Sequence, residues 1–220
     1  MNSPGRLRGI SLSFLLRIMN KLLIFIGFCF FSLASHAGVY DDILIAAQND
    51  DSATVMDLIN RGMDVNTADP AGSTLLMIAA RNGNQGLAEQ LIKGKAMINH
   101  LNRYGDSALT LAALKGRLLI ATILLEAGAE VNPVGWTPLH YAAYGGHREL
   151  VALLIRSGSK LDSPAPNHQT ALMLAAKNGH EEIVRLLIAA GANISLQDAN
   201  GKTARELALE KGHTDSARWL

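Results

Sequence analysis

Three histidines recur at an interval of 33 residues and could supply metal ligands: His147, His180 and His213. Zinc binds histidine nitrogens at about 2 Å, so its ligands must converge closely on one point. A constant interval places these histidines instead on successive packed helices, which lie about 8–10 Å apart. Such a ladder does not close on one ion. We therefore predict turn-capping histidines and no metal site.

Two short motifs resemble parts of enzyme sites. His180-Glu181-Glu182 could open the helix of a zinc protease, but Val184 stands where that helix needs its second histidine. Gly201-Lys202-Thr203 matches the end of a phosphate-binding loop, but Leu196 occupies the position of its first glycine. The single cysteine is Cys29, and no Gly-x-Ser-x-Gly motif is present. These residues indicate no catalytic group and no cofactor; an enzyme, or an enzyme subunit, with an unrecognised hydrolytic or metal site is the alternative.

Residues 1–37 have the organisation of an export signal. Lys21 precedes thirteen mostly apolar residues, and small residues follow at Ser35 and Ala37. A thirteen-residue helix is about 20 Å long, which is short of the ~30 Å hydrocarbon core of a membrane. We predict a signal peptide cleaved between Ala37 and Gly38, and a periplasmic or secreted protein. An uncleaved signal that anchors the chain is the alternative, and a start at Met19 would leave 1–18 as an upstream extension.

The composition separates this segment from the rest of the chain. The 220 residues carry a formal net charge of +1, but the first 37 hold four basic residues and no acidic one. The remaining chain has 16 basic against 19 acidic residues, which argues against binding to nucleic acid or anionic lipid. A hydrophobic content of 49% excludes a disordered chain, and one cysteine excludes a disulfide scaffold.

A repeat organises everything after the signal. Its core is a Thr or Ser followed by apolar residues and an Ala pair, with a glycine three residues further on. The intervals between the leading hydroxyl residues are 33, 30, 33 and 33. Those residues are Thr74, Ser107, Thr137, Thr170 and, in a weaker copy, Thr203.

Each repeat can be interpreted as a helix-turn-helix unit. The Thr or Ser caps the first helix by accepting a backbone N–H, and Pro138 suits a first helical position. The Ala pair lets neighbouring helices approach closely, and the glycine permits a tight turn into a second helix. No single unit can bury its apolar face, so the units must stack. The sequence predicts an all-α repeat solenoid.

The segment Thr137-Pro138-Leu139-His140-Tyr141-Ala142-Ala143 resembles the signature Thr-Pro-Leu-His-x-Ala-Ala of the ankyrin repeat. The resemblance covers about Val39 to Leu220, nearly the whole chain after the signal. Within the family, the chain resembles exported bacterial ankyrin-repeat proteins. The resemblance implies stacked helix-turn-helix repeats joined by short β-turn fingers, within an ankyrin-repeat domain over 38–220. The implied units are an N-terminal cap (39–67), four repeats (68–100, 101–133, 134–163 and 164–196) and a C-terminal cap (197–220).

Three positions depart from the repeat pattern. Lys95 stands where a glycine is expected and follows Gly94, so we expect the helix end there to shift by one residue. The 30-residue interval removes three residues before Gly135, which predicts a short finger. The turn 164–168 contains two prolines and lacks its glycine, so we expect it to be stiff and not a regular hairpin.

The resemblance also implies a function, which is non-enzymatic binding of a partner protein by a chain that is monomeric alone. Related roles include the protection or regulation of a partner enzyme. Partners of such arrays meet the finger tips and the exposed ends of the first helices. The aromatic and basic residues that map there favour an acidic or aromatic-rich partner surface. The candidate partner-binding residues are Tyr104, Leu114, Trp136, Tyr144, Arg81, Arg103, Lys115 and Lys177.

Trp136 has a second interpretation. In a shortened finger its ring could fold onto Tyr141 and replace lost packing. If the binding interpretation holds for both aromatic residues, replacing Trp136 and Tyr144 with alanine weakens partner binding and leaves the melting temperature nearly unchanged.

Overall fold

The structure, a computed structural model, describes residues 38–220. Residues 43–220 form one compact unit, and residues 38–42 before it are helical. The predicted signal segment and its last residue, Ala37, lie outside the described residues.

The described part of the chain is a series of helix pairs. It contains no strand, and its one isolated bridge joins Ala68 to Thr74. This confirms the predicted all-α solenoid of helix-turn-helix units. In chain order the helices are α1 (38–48), α2 (Ser52–Asn60), α3 (Leu75–Asn82), α4 (Gln85–Lys93), α5 (Ala108–Leu114), α6 (Leu118–Glu126), α7 (Pro138–Gly145), α8 (Arg148–Arg156), α9 (Ala171–Lys177), α10 (Glu181–Ala189), α11 (Ala204–Glu210) and α12 (Thr214–Ala217).

The inner helices α3, α5, α7, α9 and α11 each begin at a side-chain cap. The hydroxyl of Thr74 accepts a hydrogen bond from the backbone N–H of Met77, and Ser107, Thr137, Thr170 and Thr203 cap their helices in the same way. Removing such a cap lowers the stability of a protein by about 1 kcal/mol. The Thr or Ser at this position of each repeat therefore determines where its first helix begins.

The helices form two layers. The inner layer consists of α3, α5, α7, α9 and α11, each packed against the next, and the outer layer runs from α2 through α4, α6, α8 and α10 to α12. The Ala pairs lie between the inner helices: Ala79, Ala80, Ala142 and Ala143 have no exposed surface. Small side chains at these positions allow the close stacking that no single unit achieves alone.

The expectation that the helix end near Lys95 is shifted by one residue is wrong. Helix α4 ends at Lys93 with Gly94 as its C-cap, in the same register as the other outer helices, and Gly94 has φ −74°. Lys95 itself adopts the left-handed conformation with φ +64°, the conformation that Gly128 adopts one repeat later with φ +89°. The register of the stack therefore determines the backbone here, although the residue lacks the freedom of glycine.

Replacing Lys95 with glycine is expected to raise the free energy of unfolding by about 0.5–1 kcal/mol, because a left-handed backbone at a residue with a Cβ costs of order 1 kcal/mol. Equilibrium unfolding in urea measures the gain. Lys95→Ala removes the same charge and retains a Cβ, so it serves as the control and should give no stabilisation. A Lys95→Gly variant less stable than wild type would contradict the argument.

The proline-containing turn corrects a second expectation, because it is a regular finger. Ala165 N–H donates to Gln169 O (2.9 Å) and His168 N–H to Ala165 O (2.8 Å). The first finger has the same pair of bonds, from Asp69 N–H to Ser73 O and from Gly72 N–H to Asp69 O. His168, with φ +59°, replaces the glycine, and the prolines stand at positions whose N–H this hairpin does not use.

The shortened interval affects the finger of the third repeat. In the longer fingers, a side chain such as Asn102 accepts two backbone N–H groups and closes the turn. The short finger has no residue at that position, because Asn132 is the equivalent of Asn99. Its side chain donates to Gly158 O and accepts from Lys160 N–H, as that of Asn99 donates to Gly128 O and accepts from Glu130 N–H. The remaining finger is short, and the Val134 side chain at its tip is fully exposed.

Candidate partner-binding surface

Two rows of residues run along the inner layer, one residue per repeat in each. The helix-end row stands seven residues after each cap: Arg81, Leu114, Tyr144, Lys177 and Glu210. The pre-cap row stands directly before each cap: Ser73, Asp106, Trp136, Gln169 and Lys202. In the C-terminal unit the two rows meet, because the Lys202 ammonium pairs with the Glu210 carboxylate. The rows therefore belong to one surface of the solenoid.

The third repeat places three aromatic residues on this surface, and we call Trp136, Tyr141 and Tyr144 the aromatic strip. The Trp136 ring lies 5.5 Å from the Tyr141 ring, tilted by 30°, and 5.8 Å from the His140 ring, edge to face. Trp136 and Tyr141 are half-buried, whereas Tyr144 is 51% exposed. Trp136 thus packs on Tyr141, as its second interpretation foresees, and remains partly exposed. Tyr144 stands three residues after Tyr141 and so lies on the same side of α7.

Tyr141 is absent from the sequence-based candidates. It stands four residues after the cap, where the other repeats have Ile78, Leu111, Leu174 and Leu207, so the repeat pattern assigns it to the apolar run before the Ala pair. Aligning the repeats by their caps identifies it, because at this position the third repeat has an aromatic residue and the other four have aliphatic ones. Its hydroxyl makes it a polar member of the strip.

The Tyr141 hydroxyl donates a hydrogen bond of 3.0 Å to Asp106 of the preceding repeat. Burial, the nearby negative charge of Asp106 and this hydrogen bond raise the pKa of Tyr141 to about 12. The phenol therefore keeps its proton at any physiological pH and continues to donate. This contact fixes the Tyr141 ring across the junction of two repeats and provides a rigid support for Trp136.

His140 lies beneath the strip and is 1% exposed. Its Nδ1 accepts from Thr137 N–H (3.0 Å) and lies 2.8 Å from the Thr137 hydroxyl, while Nε2 lies 2.8 Å from Ser163 O. An Nδ1 that accepts leaves the proton on Nε2, so Nε2–H donates to the Ser163 carbonyl. Burial lowers the pKa of His140 from its ordinary value of 6.5, which keeps the ring neutral. His140 thereby joins the third repeat to the turn that follows it.

Tyr104 and Arg103 lie on a finger and not on the strip. The Arg103 N–H donates to Ala71 O (3.0 Å), which attaches this finger to the preceding one, and the Tyr104 N–H donates to Asn102 Oδ1. The Tyr104 side chain is 79% exposed. The structure therefore places Tyr104 at a finger tip of the second repeat, whereas Trp136 and Tyr144 belong to the third.

The side chains of the candidate cations have no ion-pair partner within residues 38–220. Lys115 and Arg103 are exposed, and Arg81 and Lys177 are half-buried. None of the four takes part in an ion pair of the described part. These charges are therefore available to a ligand at this surface.

The histidine ladder connects successive repeats through the helix-end row. His147 Nε2 lies 3.3 Å from the carbonyl oxygen of Leu114, and His180 Nε2 lies 3.0 Å from that of Tyr144. A Cβ at Gly146 would lie 2.7 Å from the His180 ring, so this glycine is needed for close approach as well as for its φ of +76°. Residues 38–220 contain no group of three or more potential ligands that could hold a metal ion.

The histidines precede the outer helices, as a turn-capping role requires, but their rings do not cap those helices. His147 and His180 are the N-cap residues of α8 and α10, and neither side chain bonds to its own helix. Each ring instead contacts the inner helix of the preceding repeat, α5 for His147 and α7 for His180. The ladder thus positions the backbone that carries Leu114 and Tyr144.

Stacked helix pairs with one long inner surface define a class of protein, the helical repeat solenoid, whose extended face is suited to binding another macromolecule. A family model described as "Ankyrin repeats (3 copies)" matches residues 43–134 and 139–220, and the chain belongs to the ankyrin-repeat family. Comparison with curated proteins gives no match. Ankyrin repeats are protein–protein interaction modules that generally lack enzymatic activity. Among the helices of the described part, none is long and apolar enough to span a membrane.

Proposed function

We propose that this chain is an exported, non-enzymatic binding protein that holds a partner protein on its inner surface and thereby protects or regulates it. The observation that carries the proposal is the aromatic strip. Its outer member, Tyr144, is half exposed although the rings of Trp136 and Tyr141 already pack against each other. Tyrosine and tryptophan dominate binding energy in protein interfaces because they bury large apolar areas and retain a polar group.

The scaffold supports this function through its rigidity. Histidine contacts across the repeats and the Tyr141–Asp106 hydrogen bond fix the surface before a partner arrives. A preformed surface loses little conformational entropy on binding, so a larger share of the contact energy appears as affinity.

The binding proposal is tested by capture of a partner with the tagged full chain from a periplasmic extract of its own host. Wild type should enrich a protein that Tyr144→Ala loses. Leu119→Ala is the matched control, because Leu119 is a 65% exposed apolar residue on the outer helix α6, and it should capture the same protein as wild type. Equal capture by all three baits would show that the strip is not the binding site.

Export is tested separately by determining the N-terminus and intact mass of the chain produced in its host. Cleavage after Ala37 should yield a periplasmic protein that begins at Gly38. A full-length chain recovered with the membrane fraction would favour the anchored alternative. This result does not depend on which partner is bound.

A further inference from the structure

We propose that the inner surface binds an extended acidic segment of the partner. An aromatic side chain of that segment contacts the aromatic strip, and a carboxylate about three residues to either side pairs with Lys115 or Lys177. This inference rests on the proposed function and specifies the chemistry of its partner.

The first argument is charge. Arg81, Lys115 and Lys177 lie at the ends of three inner helices without an ion-pair partner in the described part of the chain. On the outer layer, by contrast, Arg148 and Arg185 both pair with Glu182. Outer helices also carry unpaired cations, Lys93 and Arg156, but at the inner surface Lys115 and Lys177 lie one repeat to either side of the exposed Tyr144.

The carboxylates of the pre-cap and helix-end rows are already engaged. Asp106 accepts the Tyr141 hydroxyl, and Glu210 at the far end pairs with Lys202. Asp69 Oδ1 accepts the N–H groups of Ala71 and Ser73 at 2.9 and 2.8 Å, so it serves to close its own finger. A carboxylate of the partner can therefore form ion pairs with Lys115 and Lys177, which have no ion-pair partner in the described part of the chain.

The second argument is spacing. Lys115 follows α5, Tyr144 lies in the last turn of α7 and Lys177 ends α9; these helices belong to three consecutive repeats and pack in that order. Neighbouring packed helices lie about 10 Å apart. An extended peptide rises about 3.3 Å per residue, so three of its residues span one repeat. The matching pattern is Glu-x-x-Phe-x-x-Glu, with the phenylalanine at the aromatic strip.

Single-stranded nucleic acid also combines negative charge with rings that stack on aromatic residues. The chain after residue 37 carries 16 basic and 19 acidic residues, which disfavours a polyanion. Asp106 adds a negative charge beside the strip, where a continuous line of phosphates would pass. A peptide with two carboxylates placed only opposite the lysines avoids this repulsion, and we therefore assign the surface to a peptide.

The test measures binding of the full chain to a fluorescein-labelled peptide, acetyl-Ser-Glu-Gly-Ser-Phe-Ser-Gly-Glu-Ser, by fluorescence polarisation. Matched peptides carry glutamine or lysine at both glutamates, or alanine at the phenylalanine. The acidic peptide should bind at least roughly tenfold more tightly than each of them at low salt, and severalfold more weakly once salt shortens the Debye length to about 8 Å.

Variants of the protein locate the site. Lys115→Gln combined with Lys177→Gln should weaken binding of the acidic peptide about tenfold, and Tyr144→Ala should do the same. Lys93→Gln removes an exposed lysine of the outer helix α4 and should leave the affinity unchanged. Equal binding of the glutamine peptide, absence of saturable binding, or tighter binding of an oligothymidine of matched length would each overturn the inference.

The proposed function and this inference can fail separately. A captured partner that is lost with Tyr144→Ala but retained at high salt and by the lysine double variant would refute the acidic segment and leave the proposed function standing. Capture that is insensitive to Tyr144→Ala would refute the proposed surface itself.

Discussion

Replacing His140 with alanine is expected to lower the free energy of unfolding by about 3 kcal/mol. The ring is 1% exposed, and both of its nitrogens are hydrogen-bonded, Nδ1 to Thr137 N–H and Nε2 to Ser163 O. Alanine leaves a buried N–H without its acceptor, breaks the contact with the following turn and creates a cavity beneath Trp136. Urea unfolding followed by circular dichroism measures the loss.

His140→Thr is the matched control, because the second repeat has Thr110 at the corresponding position. Thr110 Oγ1 accepts from Ser107 N–H at 2.7 Å, so threonine can restore the cap but cannot reach the next turn. This variant should recover about 1 kcal/mol of the loss. If His140→Ala unfolded at the wild-type urea concentration, the bridge between the repeats would contribute nothing measurable.

The stability of the wild type is expected to decrease as the pH falls below about 6.5, and part of that decrease should come from His140. Burial lowers the pKa of this histidine in the folded chain, so the unfolded state binds the proton first. The contribution of His140 to stability is therefore complete above the pKa of the unfolded state, 6.5. It decreases between that pH and the lower pKa of the folded state, by at most about 1.4 kcal/mol per pH unit.

The pH dependence is isolated by comparing wild type with His140→Thr at pH 7.5 and 5.5. The two proteins share every other ionisable group, so the difference between the two curves reports His140 alone. The stability advantage of the wild type should be smaller at pH 5.5. An advantage that grows on acidification would mean that the folded state prefers the charged imidazole.

The repeat period predicted most of the fold because capping and burial act within each unit. Thr74 and its equivalents begin the inner helices, and the Ala pairs lie between them, as their residue types require. The errors arose where the stack overrides a local preference. Lys95 and His168 both adopt a left-handed backbone that favours glycine, because neighbouring repeats fix the register of the chain on either side.

The candidate site was predicted less completely, since contacts between repeats depend on the direction in which side chains point. The interval of the histidines indicated a ladder but not that His180 reaches back to the Tyr144 carbonyl. The hydrogen bond between Tyr141 and Asp106 joins residues 35 positions apart, and no local sequence pattern predicts it. The sequence therefore indicated the surface by its finger tips and helix ends, while the support beneath Trp136 became visible only in the structure.

Single alanine variants of Trp136 and Tyr144 are expected to separate stability from binding. Trp136 is half-buried and contacts the rings of His140 and Tyr141, so Trp136→Ala should lower the free energy of unfolding by about 2 kcal/mol. Tyr144 is 51% exposed, and the His180 ring contacts its carbonyl and not its phenol. Tyr144→Ala should therefore change stability by less than about 0.5 kcal/mol.

Both variants should nevertheless weaken partner binding at least roughly tenfold, because each removes part of one aromatic surface. This revises the sequence-based expectation that the Trp136 change leaves the melting temperature unchanged. Trp136→Phe retains an aromatic ring against Tyr141 and should recover most of the stability. Calorimetric titration of the captured partner, run beside urea unfolding of each variant, provides the two measurements. If Tyr144→Ala lost stability and affinity in the same proportion as Trp136→Ala, the whole strip would be a structural feature of the third repeat. Loss of affinity alone in Tyr144→Ala is the result that assigns the strip to binding.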